Sequence, residues 1–356
     1  MDRSLKHDLP VQDFSFDDTG NRILSIDKGG TVYVWEVADG TLLAKIRPEI
    51  DDSGYVVKPL GGMVYGDHIL ICDPDAIRSL TLAGDVEWQA DTENRSSYCE
   101  MDGEAGMIAC ISGESVSFYD ISTGKILVDM DNEQESSYSG SFAFSEDRSK
   151  FAVSHYGGEA PEGCVTVYDF DRGVQRDYQV EDSYVSEVGF CADGGLIAVS
   201  NKGFDFRVVA IGDVETGYVE KIDCGSGERL WMQEFTYQAM GMDTAGVVLR
   251  CRKYQDETTG AYCDEVLLTV DQSAYTWDAH TGENLAQVNV TGGIRAFLAA
   301  KNACYGYLAE SNGTVDIADM TKGVNYTTQS IETGKNITDM RIKNGVLVVS
   351  AYASPE

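Results

Sequence analysis

The sequence predicts an all-β protein built from repeated four-stranded units, and three observations carry that prediction. A β-prone run closes on an acid, with glycine four residues beyond it, and this pattern returns six times along the 356 residues. A strand, polar turn and second strand stand upstream of each copy. No segment carries a convincing helical period.

The turn repeat reads Trp35-Glu36 with Gly40, Tyr119-Asp120 with Gly124, Tyr168-Asp169 with Gly173, Ile222-Asp223 with Gly227, and Trp277-Asp278 with Gly282. Ala318-Asp319 with Gly323 keeps the spacing without the bulky residue, and Leu80-Thr81-Leu82-Ala83-Gly84 is a copy shortened by one residue. The acids recur at intervals of about 40 to 55 residues, the length of a propeller blade. In each unit the bulky residue enters an inter-blade core. The acid accepts backbone N–H bonds from the turn, and glycine takes the positive φ. The upstream hairpins are clearest at 14–26, 142–154 and 188–200, where period-two alternation marks two half-buried strands. A fourth, outer strand follows each turn, as at 41–46. Four strands per repeat make a blade.

The blades read as 11–46, 54–90, 97–130, 137–180, 184–235, 237–290 and 293–332. Residues 337–342 and 345–350 look like the first two strands of another blade, which residues 2–9 would complete. Joining both chain ends in one blade removes exposed edges. The expectation is therefore one β-propeller domain over 1–356 with eight blades and a composite last blade; seven blades is the alternative. The chain is also expected to be a piece of a longer protein, because it stops straight after a strand.

Composition limits the partners. Asp and Glu number 59 against 27 Lys and Arg, a formal charge of −32. Phosphate backbones need cations to displace their counterions, so nucleic acid is not expected, and anionic membranes are disfavoured for the same reason. No apolar run is long enough to insert in a bilayer. The expected partner is a protein or peptide, a basic one by charge, bound by a monomer. The nine cysteines are scattered, with no C-x-x-C pair, so neither a zinc ribbon nor a redox pair is expected. Free thiols favour a cytoplasmic setting. An extracytoplasmic domain of a longer, membrane-anchored protein is the alternative.

Phe14-Ser15-Phe16-Asp17-Asp18-Thr19-Gly20 and Val32-Tyr33-Val34-Trp35-Glu36 resemble the first- and third-strand signatures of WD-repeat propellers. Gly227-Glu228-Arg229-Leu230-Trp231 and Thr281-Gly282-Glu283-Asn284-Leu285 resemble the outer turns of quinoprotein (PQQ-like) propellers. The resemblance covers nearly the whole chain and implies the fold; propellers host many unrelated tasks. The Gly-His dipeptide of WD repeats is missing, since His7, His68, His155 and His280 all lie in other contexts. The tryptophan-docking turn of quinoproteins is complete only near Trp231, and no cofactor is expected.

One further repeat bears on function. Tyr55, Tyr98, Tyr138, Tyr184 and Tyr237 each precede the expected inner strand of a blade, and acids stand before several of them: Asp51, Asp52, Glu93, Glu133, Glu135 and Asp182. A ring of phenols with carboxylates at a channel mouth would make a recognition surface. Alternatively each tyrosine wedges between blades. Asp129, Asp131, Glu133 and Glu135 lack the EF-hand spacing and read as a solvated loop, so no metal site is expected. The stretch from Asp256-Glu257 to Asp264-Glu265 reads as a lid or a hairpin extension. No G-x-S-x-G, H-E-x-x-H or P-loop occurs. The expected function is a non-catalytic binding scaffold acting through the channel-mouth face. The alternative is a propeller hydrolase or lyase acting on glycans or peptides with acids at that mouth.

Overall fold

Strands of alternating apolar and polar residues account for nearly all regular structure in the computed structural model, which describes residues 4–92, 95–131, 137–156, 163–182, 184–201, 214–238, 247–255, 260–270, 273–289, 294–299, 305–310, 313–319, 327–333, 335–344 and 346–352. Among these residues there is no helix. The strands divide between two compact units, Met1–Tyr138 with Arg341–Tyr352, and Ser139–Met340 with Ala353–Glu356.

The first unit holds three blades. They are β1 (Val11–Phe16), β2 (Arg22–Asp27), β3 (Val32–Glu36) and β4 (Leu42–Ile46); β5 (Gly61–Tyr65), β6 (His68–Cys72), β7 (Ala76–Thr81) and β8 (Val86–Asp91); and β9 (Tyr98–Asp102), β10 (Met107–Ile111), β11 (Ser115–Asp120) and β12 (Ile126–Asp131). The second unit holds four. They are β13 (Ser137–Phe144), β14 (Lys150–Tyr156), β15 (Cys164–Asp169) and β16 (Val174–Gln179); β17 (Tyr184–Phe190), β18 (Leu196–Asn201), β19 (Val214–Ile222) and β20 (Arg229–Gln238); β21 (Val248–Gln255), β22 (Tyr262–Val270), β23 (Ser273–Asp278) and β24 (Asn284–Asn289); and β25 (Ile294–Ala299), β26 (Tyr305–Glu310), β27 (Thr314–Asp319) and β28 (Thr327–Glu332). In every blade the strands pair in sequence order.

The architecture is thus an all-β propeller of seven four-stranded blades, and the expected composite eighth blade is not present. Among the described residues, the last two strands, β29 (Asn336–Lys343) and β30 (Val346–Tyr352), pair only with each other. Residues 4–9 of the segment expected to complete them form no strand, and residues 2 and 3 lie outside the described residues. The physical reason is that this segment is held on the first blade. The His7 ring sits 4.7 Å from Tyr33 and 5.3 Å from Trp35, edge-on to both. Its Nε2 lies 2.7 Å from Ser25 Oγ. The Asp8 N–H donates to the Tyr33 hydroxyl and its carboxylate pairs with Lys45 at 2.8 Å. The late hairpin meets the first blade through side chains instead: Arg341 donates to Asp13 (2.9 Å), Lys343 to the Asp17 carbonyl (2.7 Å) and Asn344 to the Thr19 carbonyl (2.8 Å).

The turn repeat has the expected chemistry. Asp120, Asp223 and Asp278 each accept backbone N–H bonds from the two turn residues that follow at 2.6 to 3.1 Å. The Gly124, Gly227 and Gly282 N–H groups return to the carbonyls of those acids. Glycine is required twice over at Gly282. Its φ is +73°, and a Cβ there would meet the Trp231 ring of the preceding blade at 2.8 Å. Trp88 closes on Gly124 in the same way. The core lies between blades. Leu24, Val34, Ile69 and Ile71 join the first two blades, Val167, Tyr178, Val188 and Leu196 the fourth and fifth, and Val219, Trp231, Val266 and Trp277 the fifth and sixth.

Candidate functional site

The tyrosine repeat resolves into unlike positions. Tyr98 and Tyr184 open β9 and β17, Tyr138 is the second residue of β13, and Tyr55 stands six residues ahead of β5. Tyr237 does not precede an inner strand: it lies in the fourth strand β20, opposite Glu215, and its side chain falls outside the described residues. Tyr138 is only 4% exposed, so it packs. Tyr184 is half-buried, whereas Tyr98 is 44% and Tyr55 73% exposed. Of the accompanying acids, Asp51 and Asp52 are exposed and Asp182 is half-buried; Glu93, Glu133 and Glu135 lie outside the described residues. Asp129 accepts a hydrogen bond from Ser117 within the third blade.

The best-built feature surrounds Tyr55. The Val57 N–H donates to the Glu49 carbonyl, Ile50 bridges Val56, and the Asp51 N–H donates to the Tyr55 carbonyl. Asp51 Oδ1 accepts from the Ser53 and Tyr55 N–H groups at 2.9 and 2.8 Å, and Gly54 turns the chain at φ +84°. The result is a small hairpin whose tip carries two carboxylates and three exposed apolar side chains, Ile50, Tyr55 and Val56. Its base is fixed. Glu49 pairs with Arg78 of β7, and the buried Arg78 guanidinium also donates from Nε to Asp73 at 2.9 Å. Burial pushes the Asp73 carboxyl up, and Arg78 opposes that shift. The hairpin precedes β5 and Tyr98 opens β9, so both emerge where the first strands of neighbouring blades begin.

Three polar groups that sequence reasoning passed over are also wholly or partly withdrawn from solvent. His7 bonds Ser25, which accepts from the Trp35 indole N–H at 2.9 Å. Lys221, 1% exposed, donates to Asp193 at 2.6 Å and to the Ala279 carbonyl at 2.9 Å; His280 stands 3.7 Å from both Asp193 and Asp264. Glu187 on β17 is pushed up to about 7 by desolvation, against the pull of Arg250 and a hydrogen bond from Ser141. The readable signal was a charged residue at an inward position of an otherwise apolar strand, as at Glu187 between Val185 and Val188. Of the stretch from Asp256 to Glu265, residues 256–259 lie outside the described residues; β21 and β22 pair from Gln255 with Tyr262 inward, and Asp264 and Glu265 are buried in β22.

No family model matches the chain, and no curated protein matches it. Solved structures do. A structure described as the Dos1 propeller is 14% identical, with a TM-score of 0.67, over 96% of this chain and 90% of that one. The C-terminal WD40 domain of Sif2 is 14% identical, also at 0.67, over 96% and 93%. The Kuenenia stuttgartiensis hydrazine synthase is 13% identical at 0.57, over 89% and 97%. At such identities the likeness is one of fold, and that fold is a WD-repeat-like β-propeller.

Proposed function

We propose that the protein is a non-catalytic binding scaffold whose recognition element is the 49–57 hairpin together with Tyr98, and whose partner is a protein or peptide that is both apolar and basic. The observation that carries this reading is the exposure of Ile50, Tyr55 and Val56 on a turn braced by Asp51 and anchored through Glu49 to Arg78. Aromatic side chains on a fixed backbone bind at low entropic cost. Asp51 and Asp52 at the tip, within a chain of net charge −32, speed the approach of a cation. Protein interaction through a propeller is also in keeping with the WD40 neighbour.

The test is affinity capture from the producing cells, followed by affinity measurement on each purified candidate. Tyr55→Ala and Tyr98→Ala should each weaken a true partner by about 2 kcal/mol without moving the melting temperature. Tyr262→Ala, at another exposed tyrosine, should leave binding unchanged. Equal affinities for all three variants would sink the proposal.

A further inference from the structure

Three thiols that are remote in sequence meet in the first unit. Cys99 and Cys110 face each other across β9 and β10, and Cys72 ends β6 of the neighbouring blade. Their Sγ atoms all lie within 4.8 Å of one another, with Cys72 and Cys110 at 3.6 Å. Three sulfurs around one cation at roughly 2.3 Å stand about 4.0 Å apart in a trigonal plane. The spacing therefore needs only small side-chain adjustments. The ladders of two blades fix the backbones that carry these sulfurs.

We propose that Cys72, Cys99 and Cys110 form a three-sulfur site for copper(I). The surroundings select the metal. Among the described residues no imidazole or carboxylate completes this set, whereas structural zinc takes four ligands. Soft thiolates and thioethers favour Cu(I), and Met63 and Met101 belong to the same core cluster. The Ser96 hydroxyl, buried, hydrogen-bonds Cys110 and supplies a neutral donor to a charged sulfur. The cluster is otherwise walled by Leu70, Ile77 and Ile108, which exclude water and oxidant. Copper enters as Cu(I) and no oxidation state changes. Each thiol that ligates as thiolate releases one proton to solvent. A second convergent set, His155, Cys164 and Asp177, is already spanned by Thr166, which bonds both His155 and Asp177.

The site escapes sequence inspection because its ligands are cross-strand and cross-blade neighbours rather than a C-x-x-C pair. The test uses the full chain, reduced and anaerobic, titrated with Cu(I) against bathocuproine disulfonate. One copper per chain should be withheld from the chelator. Cys99→Ser and Cys110→Ser should each weaken binding by about tenfold or more, while Cys164→Ser and Cys224→Ser retain it. X-ray absorption on the loaded wild-type protein should show three sulfurs at roughly 2.3 Å. That spectrum decides the matter even if a serine variant fails to fold. Copper lost wholly to the chelator, undiminished binding by the Cys99 and Cys110 variants, or a shell of nitrogen or oxygen would each overturn the proposal.

Discussion

The first and fourth blades each wire a histidine into a chain of hydrogen bonds, and the two chains run in opposite senses. In the first blade the Trp35 indole N–H donates to Ser25, and the His7 ring also bonds the Leu5 backbone in a way that favours the ring's N–H. Nε2 of His7 is therefore left to accept the Ser25 hydroxyl proton. In the fourth blade the Thr166 hydroxyl donates to Asp177 at 2.6 Å, so Thr166 must accept from Nε2–H of His155. One histidine ends its chain as an acceptor and the other begins it as a donor. The strands involved differ as well. His155, Thr166 and Asp177 stand on β14, β15 and β16, which a backbone ladder already joins. His7 lies outside any strand, and its side chain helps fasten residues 4–9 to β2 and β3. The same chemistry reinforces a sheet in one blade and substitutes for one in the other.

The largest expected effect tests that contrast at equivalent positions of the two third strands. Trp35 is buried, stacks on Tyr33 at 5.8 Å and touches His7, whereas Tyr168 is partly exposed. Trp35→Ala should cost about 3–5 kcal/mol in urea unfolding, and Tyr168→Ala distinctly less. Equal losses would mean that the first blade gains nothing from the entering segment.

A smaller effect follows from the bridging hydroxyls. Ser25→Ala leaves the Trp35 N–H and His7 Nε2 without their partner inside the protein, at about 1–3 kcal/mol. Thr166→Val keeps shape but takes the acceptor from Nε2–H of the buried His155 as well as the donor from Asp177; the Asp177 carboxylate is exposed and water can replace its bond, so one inner group loses its partner there against two at Ser25. The serine variant should therefore be the less stable of the two. The reverse order in denaturant midpoints would place the stronger network in the fourth blade.

These networks also mark where sequence reading stopped. The acid-to-glycine turn is local, so Asp120, Asp223 and Asp278 revealed their role by spacing alone, and the limits of seven blades followed closely. The end of the chain misled because β29 and β30 carry a proper hairpin pattern, and that pattern says nothing about what lies beside their free edges. His7 was passed over because it follows Lys6 rather than glycine, although the hydrogen bond needs only a ring within reach of Ser25. Tyr237 was misplaced because β19 and β20 run to nine and ten residues, longer than most other strands, which draws it into the fourth strand. At the proposed recognition site, Asp51 and Gly54 were readable as turn residues, but exposure is a property of the folded surface. Nothing local separates the exposed Tyr55 from the buried Tyr138.

The subtlest way to sharpen the comparison is pH. Burial lowers the pKa of both His7 and His155, against the opposing pull of Asp27 and Asp8 on the first and Asp177 on the second. Above about pH 6.5 both rings are neutral whether the chain is folded or not, and their contribution is fully present. As pH falls through that value the unfolded chain takes up the protons first, so this contribution is lost progressively down to the depressed folded values. Carboxyls pushed the other way act with opposite sign. Glu187, raised to about 7, binds its proton first in the folded state and adds stability over part of the same range. The wild-type slope alone is therefore a mixture, and the difference between wild type and each variant is the useful quantity. Urea midpoints for His7→Gln and His155→Gln, measured from pH 7.5 to 5, should converge on the wild-type value as pH falls, because each variant lacks one ring that must otherwise be kept neutral. A gap for His7→Gln that widens as pH falls toward about 6.5, with convergence for His155→Gln, would show that the first-blade histidine binds its proton first in the folded state, and the direction assigned to its hydrogen bond with Ser25 would have to be reversed.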